Sequence, residues 1–204
     1  MKNNTYTLIF ALLMGVSCAL LLTAAAEFTS PYRAANAKAE EIRNVLNVLN
    51  VSVPDDASPD ELVEIFSKNV VQKTRAGLPF YSYISEDTSN APEAYAVQFE
   101  GQGLWGPIKG FLALESDMKT IRGITVYEQE ETPGLGGEIA SERFQEQFVG
   151  KSILNEQQEP GIRITRGGGE LGPNAVEGIT GATMTCEKVE SILNEAITKI
   201  VGDL

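Results

Sequence analysis

Glu177-Gly178-Ile179-Thr180-Gly181-Ala182-Thr183-Met184-Thr185 brings one carboxylate, three hydroxyls and three minimal side chains into nine residues. An apolar pattern follows directly. Val189, Ile192, Leu193, Ala196, Ile197, Ile200 and Val201 recur at the i, i+3, i+4, i+7 spacing and predict a helix. The hydroxyl-rich segment therefore lies at a helix N-terminus. Unpaired amides and the helix dipole stabilise negative charge there, and Gly181 and Ala182 let another molecule approach the backbone. The chemistry this pattern offers is the holding of an anion, and a phosphate fits. The competing reading is purely local: Thr183 or Thr185 caps the helix after a glycine turn. Physical chemistry taken alone favours the cap.

The rest of the composition narrows the chemistry. The 204 residues include no histidine, which removes the commonest general base, the Ser-His and Cys-His nucleophile pairs and the commonest transition-metal ligand. The two cysteines, Cys18 and Cys186, lie far apart, one within an apolar segment, and read as isolated thiols rather than a disulfide or a metal site. Gly15-Val16-Ser17 ahead of Cys18 lacks the leucine usual three residues before a lipid-modified cysteine, which disfavours lipid attachment. The formal net charge is −12. Residues 1–26 hold one lysine and no acid, leaving fifteen basic against 28 acidic residues, or −13, in the remainder. Such a surface repels nucleic acid.

Several elements must position the hydroxyl-rich segment. Residues 6–26 are uncharged for 21 residues, enough helix to rise roughly 30 Å and cross a hydrocarbon core. A cleaved signal peptide is the alternative, since Lys2 and Ala24-Ala25-Ala26 supply its two ends. The apolar stretch is long for that, so a retained transmembrane helix is the preferred expectation. Lys2 on one side against Arg33, Lys38 and Arg43 on the other leaves orientation open to charge counting. Residues 34–51 place Ile42, Val45, Leu46 and Leu49 on one helical face. Ser58-Pro59-Asp60-Glu61 reads as a capping box opening a helix to about Val71. Residues 81–93 are polar and rich in turn formers, and a sheet is expected to begin at residues 95–99. Residues 108–114 and 121–127 follow as strands joined by a hairpin loop at 115–120. Residues 141–149 predict a short helix and 162–166 a strand. Gly167-Gly168-Gly169 predicts a loop that alone implies no phosphate site.

Thr180-Gly181-Ala182-Thr183, preceded by Glu177, resembles the (Asp)-x-x-(Ser/Thr)-Gly-Ala-Thr motif of the FMN-binding domain family. That domain is shared by the C subunit of the sodium-translocating NADH:quinone reductase and the G subunit of Rnf-type complexes. In the family a flavin transferase esterifies the last threonine of the motif to the FMN phosphate, which here is Thr183. Glu177 stands where the family usually has Asp, one methylene longer with the carboxylate kept. Glu131-Thr132-Pro133-Gly134-Leu135-Gly136-Gly137 resembles the family's ETPGLG loop beside the flavin. Physically this is a tight turn whose amides can face a ring or phosphate, with Thr132 and Leu135 as polar and apolar neighbours. Gly103-Leu104-Trp105-Gly106-Pro107-Ile108 also matches, and Glu138 to Ile153 continues the likeness, which covers residues 95–204. Trp105 is a candidate flavin contact, although a lone aromatic entering a strand is more often a core or interface residue.

The resemblance implies an α+β fold. A transmembrane helix at 6–26, after a short segment at 1–5, precedes a connector at 27–94 and an FMN-binding domain at 95–204 with a mainly antiparallel sheet and packed helices. It implies covalent FMN on Thr183, with Thr180, Gly181, Ala182, Thr185, Glu131, Thr132, Gly134, Leu135 and Gly136 around it and Glu177 read by the transferase. No metal and no catalytic residue is expected. The implied role is a relay of electrons within an ion-translocating NADH:quinone reductase of the inner membrane, the soluble domain periplasmic. The other members of the complex and the flavin transferase are the expected partners, with neither nucleic acid nor NADH bound directly. The GLW stretch and the YEQEETPGLGGEI match lie closer to the quinone reductase protein than to its Rnf counterpart. The Rnf G subunit, a stand-alone extracytoplasmic FMN carrier and an unmodified accessory protein are the alternatives.

Overall fold

The computed structural model describes residues 2–54, 56–85, 91–166 and 171–202, in two compact units, Met1–Glu41 and Ile42–Leu204. The first unit consists of most of helix α1 (Lys2–Val48). Two helical stretches were expected here and one is found. Pro31 lies inside it and removes a single backbone donor, too little to end a helix whose alanine-rich segments at 24–26 and 34–39 continue it on both sides. Among the described residues α1 is the helix long and apolar enough to cross a membrane, a test that a signal sequence also passes.

In the second unit the last turns of α1 bury Ile42, Val45 and Leu46, and Leu49 follows them into the core, the face that the periodicity predicts. Helix α2 (Pro59–Asn69) opens with the predicted capping box: Glu61 N donates to Ser58 Oγ at 3.3 Å, and Ser58 N donates to Glu61 Oε2 at 2.7 Å. It stops two residues earlier than expected, because the β-branched pair Val70-Val71 is extended and starts strand β1 (Val70–Arg75). Ala76 and Gly77, both at positive φ, turn the chain into β2 (Leu78–Tyr83). The sheet thus begins well before residue 95, and residues 81–83 of the stretch expected to be turn-rich are strand. Residues 86–90 and the Gly167-Gly168-Gly169 loop lie outside the described residues.

Strands β3 (Ala94–Gln102), β4 (Pro107–Glu115) and β5 (Ile121–Glu128) complete a five-stranded antiparallel sheet in the order β1-β2-β3-β4-β5. The loop between β4 and β5 is closed by Asp117, whose Oδ1 accepts from Lys119 N and Thr120 N, both at 2.8 Å. Burial pushes the Asp117 carboxyl up, but the hydrogen bonds from Thr120 and Lys119 outweigh it and hold the group below the usual range.

One face of the sheet, with Val97, Phe99, Leu112 and Leu114, packs against α4 (Thr183–Val201), whose Val189, Leu193, Ile197 and Ile200 are fully buried. The approach is close. A β-carbon on Gly101 would lie 2.5 Å from the Ile192 side chain, so only glycine fits under the helix. The other face stacks Tyr81 edge-on against Phe66 of α2 and Phe111 of β4, with Phe111 parallel to Tyr127. The helix expected at 141–149 is a relay of a 3-10 turn at Gly136–Ala140, α3 (Glu142–Gln145) and a 3-10 turn at Glu146–Phe148, closing the core with Ile139, Phe144 and Phe148. The expected strand at 162–166 is β6 (Arg163–Thr165). It pairs in parallel with β7 (Ala175–Glu177), which the sequence did not suggest. The class is α+β with a mainly antiparallel sheet, as predicted.

Candidate functional site

β4 runs antiparallel to both its neighbours, so the end of β3, the start of β4 and the end of β5 meet at one end of the sheet. Gln102 pairs with Pro107, which makes Gly103-Leu104-Trp105-Gly106 the tip of the β3–β4 hairpin, closed by Gly103 N donating to Gly106 O at 2.9 Å. The chain leaves β5 at Glu128 and enters the Glu131–Gly137 turn beside that tip. Gly134, at φ 74°, takes the left-handed conformation the turn needs, and Leu135 N and Gly137 N both donate to Thr132 O.

Glu131 ties these segments together. It is 4% exposed, and its Oε1 accepts from Leu104 N at 2.7 Å and Trp105 N at 3.3 Å. Its Oε2 accepts from the hydroxyl of Thr185, itself 2% exposed, at 2.7 Å. One buried carboxylate therefore joins the hairpin tip, the turn after β5 and the first turn of α4.

This arrangement decides how α4 begins. Its N-cap is Ala182, with no side-chain cap, and the Thr185 hydroxyl is committed to Glu131. The reading of Thr183 or Thr185 as an ordinary helix cap therefore does not hold. Gly181, at φ 81°, turns the chain into the helix, and Thr183 follows at its first position with an exposed side chain. The first-turn amides, the dipole and a free hydroxyl coincide at Thr183.

Around Thr183 lies a cavity of about 240 Å³ lined by Leu104, Trp105, Glu131, Thr132, Leu135, Gly136, Gly181, Ala182, Thr183, Met184 and Thr185. The structure brings together eight of the site residues singled out in the sequence, and with them Trp105, the candidate ring contact, and adds Leu104 and Met184. Trp105 is 71% exposed, so it belongs to the rim of this cavity and not to the core. Gly134 shapes the turn without lining the cavity. Thr180 and Glu177 lie on the other side of the motif. Thr180, with Gly181 and Thr183 itself, lines a second cleft of about 440 Å³ beside Arg163, Arg166 and Glu187, where Arg166 pairs with Glu187 at 2.9 Å. It also joins Glu177 in a groove of about 490 Å³ with Arg143 and Gln147.

Gln147 grips the backbone of Glu177 at two points. Glu177 N donates to Gln147 Oε1 at 2.9 Å, and Gln147 Nε2 donates to Glu177 O at 3.2 Å. The Glu177 side chain is left exposed. Gly178 N donates to Thr165 O at 2.8 Å, and a β-carbon on Gly178 would lie 2.6 Å from that oxygen, so the motif glycine is required by the strand behind it. Burial pushes the Cys186 thiol up, consistent with an inert packed sulfur that accepts from Ile179 N.

A flat, phosphate-bearing cofactor suits this geometry. An anion has uncapped helix amides and a hydroxyl, and an aromatic ring has apolar walls with a few polar edges. The FMN-binding domain family matches residues 103–198, a span that takes in the hairpin tip, the turn after β5 and the start of α4. Over these residues the chain is similar to the FMN-binding domain family. It resembles the C subunit of the Na(+)-translocating NADH-quinone reductase. The protein of that name from Vibrio anguillarum is 35% identical over 122 residues, 59% of this chain and 46% of that protein. The one from Vibrio vulnificus strain YJ016 is 45% identical over 91 residues, 44% and 36%. The match therefore spans less than half the length of these curated relatives. Among solved structures, the C subunit of this reductase from Parabacteroides distasonis superposes with a TM-score of 0.69 at 25% identity, covering 83% of this chain and 94% of that one. NqrC from Shewanella oneidensis shares the fold at 0.67 and 23% identity, covering 78% and 91%.

Proposed function

We propose that Thr183 carries FMN through a phosphoester and that the chain is the membrane-anchored electron-transfer subunit of a sodium-translocating NADH-quinone reductase complex. The observation that carries this reading is the exposed Thr183 hydroxyl at the uncapped start of α4, opening on a cavity walled by Leu104, Trp105, Leu135 and Met184. The bond formed is Thr183 Oγ to phosphorus, and the bonds broken are the Thr183 O–H and the phosphorus–oxygen bond to the leaving group of the flavin nucleotide that the transferase uses as donor, so the chain gains the mass of FMN less water. The first-turn amides of α4 stabilise the phosphate charge, and Gly181 keeps the approach to it open. Leu104, Trp105, Leu135 and Met184 would supply the apolar contacts to the ring, and Thr132 a polar one. FMN, when bound, supplies the redox chemistry, and the protein fixes its place and surroundings.

On this reading Glu177, held out by Gln147, is what a flavin transferase recognises. Residues 6–26 are the inner-membrane anchor, 27–94 the connector and 95–204 the periplasmic FMN domain. NADH is oxidised by another subunit, and a covalent tether keeps the cofactor from being lost outside the cytoplasm. The test is intact and peptide mass spectrometry of the full chain from cells expressing the transferase, beside Thr183→Ala. A gain of FMN minus water, located on the Thr183 peptide and absent from the variant, is expected. An unmodified native chain, or an adduct that persists in Thr183→Ala, overturns the assignment.

A further inference from the structure

The Glu131 carboxylate is built into the wall of the Thr183 cavity more firmly than a contact residue needs. A β-carbon on Gly103 would fall 2.5 Å from Glu131 Oε1. One on Gly136 would fall 2.5 Å from Thr185 Oγ1 and 3.0 Å from Glu131 Oε2. Two motif glycines and one motif threonine are thus fitted around a single acid. Both of its oxygens serve as acceptors, from two backbone N–H groups and one hydroxyl. Among the described residues no Lys or Arg forms an ion pair with it. A buried acid compensated by dipoles alone keeps its charge in place and projects it into the adjacent cavity, whose apolar walls screen it less than bulk water does.

We propose that Glu131 is a positioning residue with two linked roles: it holds the Leu104-Trp105 tip against the start of α4, and its fixed negative charge lowers the reduction potential of the cofactor carried on Thr183. A negative charge beside the cavity opposes the arrival of an electron there, so the acid makes the site a better donor. Part of this rests on the function proposed above, and the test separates the two.

Full-length chain in detergent is made as native, Glu131→Gln and Glu131→Ala, each with the transferase, and Glu131→Ala is made again in the unloaded Thr183→Ala background. Gln keeps an acceptor for Leu104 N and Trp105 N and a group able to pair with Thr185, while removing the charge. Loaded Glu131→Gln is expected to melt close to the native chain and to show a more positive potential by spectroelectrochemistry. An unchanged or more negative potential overturns the electrostatic role. In the unloaded background, Glu131→Ala is expected to speed hydrogen exchange at the Leu104 and Trp105 amides by roughly ten-fold or more, since hydrogen bonds to a charged acceptor are the strong kind. Unchanged exchange overturns the clamp. Failure of the native chain to gain FMN refutes the proposed function, and the exchange result in the unloaded chain still decides the clamp.

Discussion

Gly136→Ala puts the packing around Glu131 under direct strain. The new methyl group would meet Thr185 Oγ1 at 2.5 Å and both Cβ and Oε2 of Glu131 at 3.0 Å. Neither neighbour can swing away, since Thr185 and Glu131 are both buried and bonded to each other. Overpacking a filled interior costs about 1–3 kcal/mol. Displacing the Thr185 hydroxyl also gives up a hydrogen bond to a charged acceptor, about 1.5–3 kcal/mol. The two overlap, so a net loss of about 2–4 kcal/mol is expected. For a unit the size of Ile42–Leu204 that lowers the melting temperature by roughly 5–15 °C. Gly134→Ala is the control. Gly134 has open space around its β-position and φ 74°, so alanine there meets only left-handed backbone strain of about 1–2 kcal/mol. Thermal unfolding of the two variants in the unloaded chain, followed by circular dichroism, decides the matter. A Gly136→Ala chain that melts at or above Gly134→Ala refutes the account of why that glycine is there.

Trp105 is the only tryptophan, so its emission reports on the site alone. It is expected to be quenched in the FMN-bearing chain relative to unloaded Thr183→Ala, and equal emission would place it away from the cofactor. The folded Asp117 carboxyl sits below its unfolded pKa, so its stabilisation is present above the unfolded value near 4 and is lost as pH falls through the lower folded one. Asp117→Ala should therefore be less stable than native by about 1 kcal/mol at pH 7, with the gap in urea melts closing as the pH is taken towards 3, and a gap constant over that range contradicts this. Glu177→Gln should slow flavinylation while Glu177→Asp preserves it, both folding normally, and a full rate for Glu177→Gln would mean the transferase does not read the carboxylate.

Helix α4 and strand β3 were legible because each keeps one face buried over many residues, which writes the 3.6 or 2.0 period into the sequence, and β4 because it is a continuous apolar run buried on both faces. Strand β1 was not. It is an edge strand that buries only Val70; Val71 is exposed, the rest of VVQKTR is polar, and no alternation shows. β6 and β7 pair over three residues each, too few to carry a period. In the site, Thr183 and the Glu131–Gly137 turn stood out by resemblance. The work of Glu131 could not be read, because its partners are 26, 27 and 54 residues away along the chain and two of them are backbone amides. Trp105 precedes a strand, which in sequence favours a core or interface position. It sits at a hairpin tip instead, where the side chain has no second layer to enter.

The same geometry bears on why a covalent bond would be used at all. Pockets that retain drug-sized ligands by contact alone enclose about 300–1,000 Å³ and bury most of the ligand surface. Of the two cavities that Thr183 lines, the apolar one, walled by Leu104, Trp105, Leu135 and Met184, is about 240 Å³, and its rim remains open, with Leu135 and Met184 43% and 63% exposed. Contacts of that extent would give weak affinity once the cost of immobilising the cofactor is met. Deepening the pocket would strengthen binding and also bury the ring edge that an electron must reach. The proposed phosphoester to Thr183 would remove the conflict, since retention would then depend on one bond at the start of α4 and the rim would be free to stay open. On the same proposal, Glu131 behind that rim would act on the cofactor electrostatically without covering it.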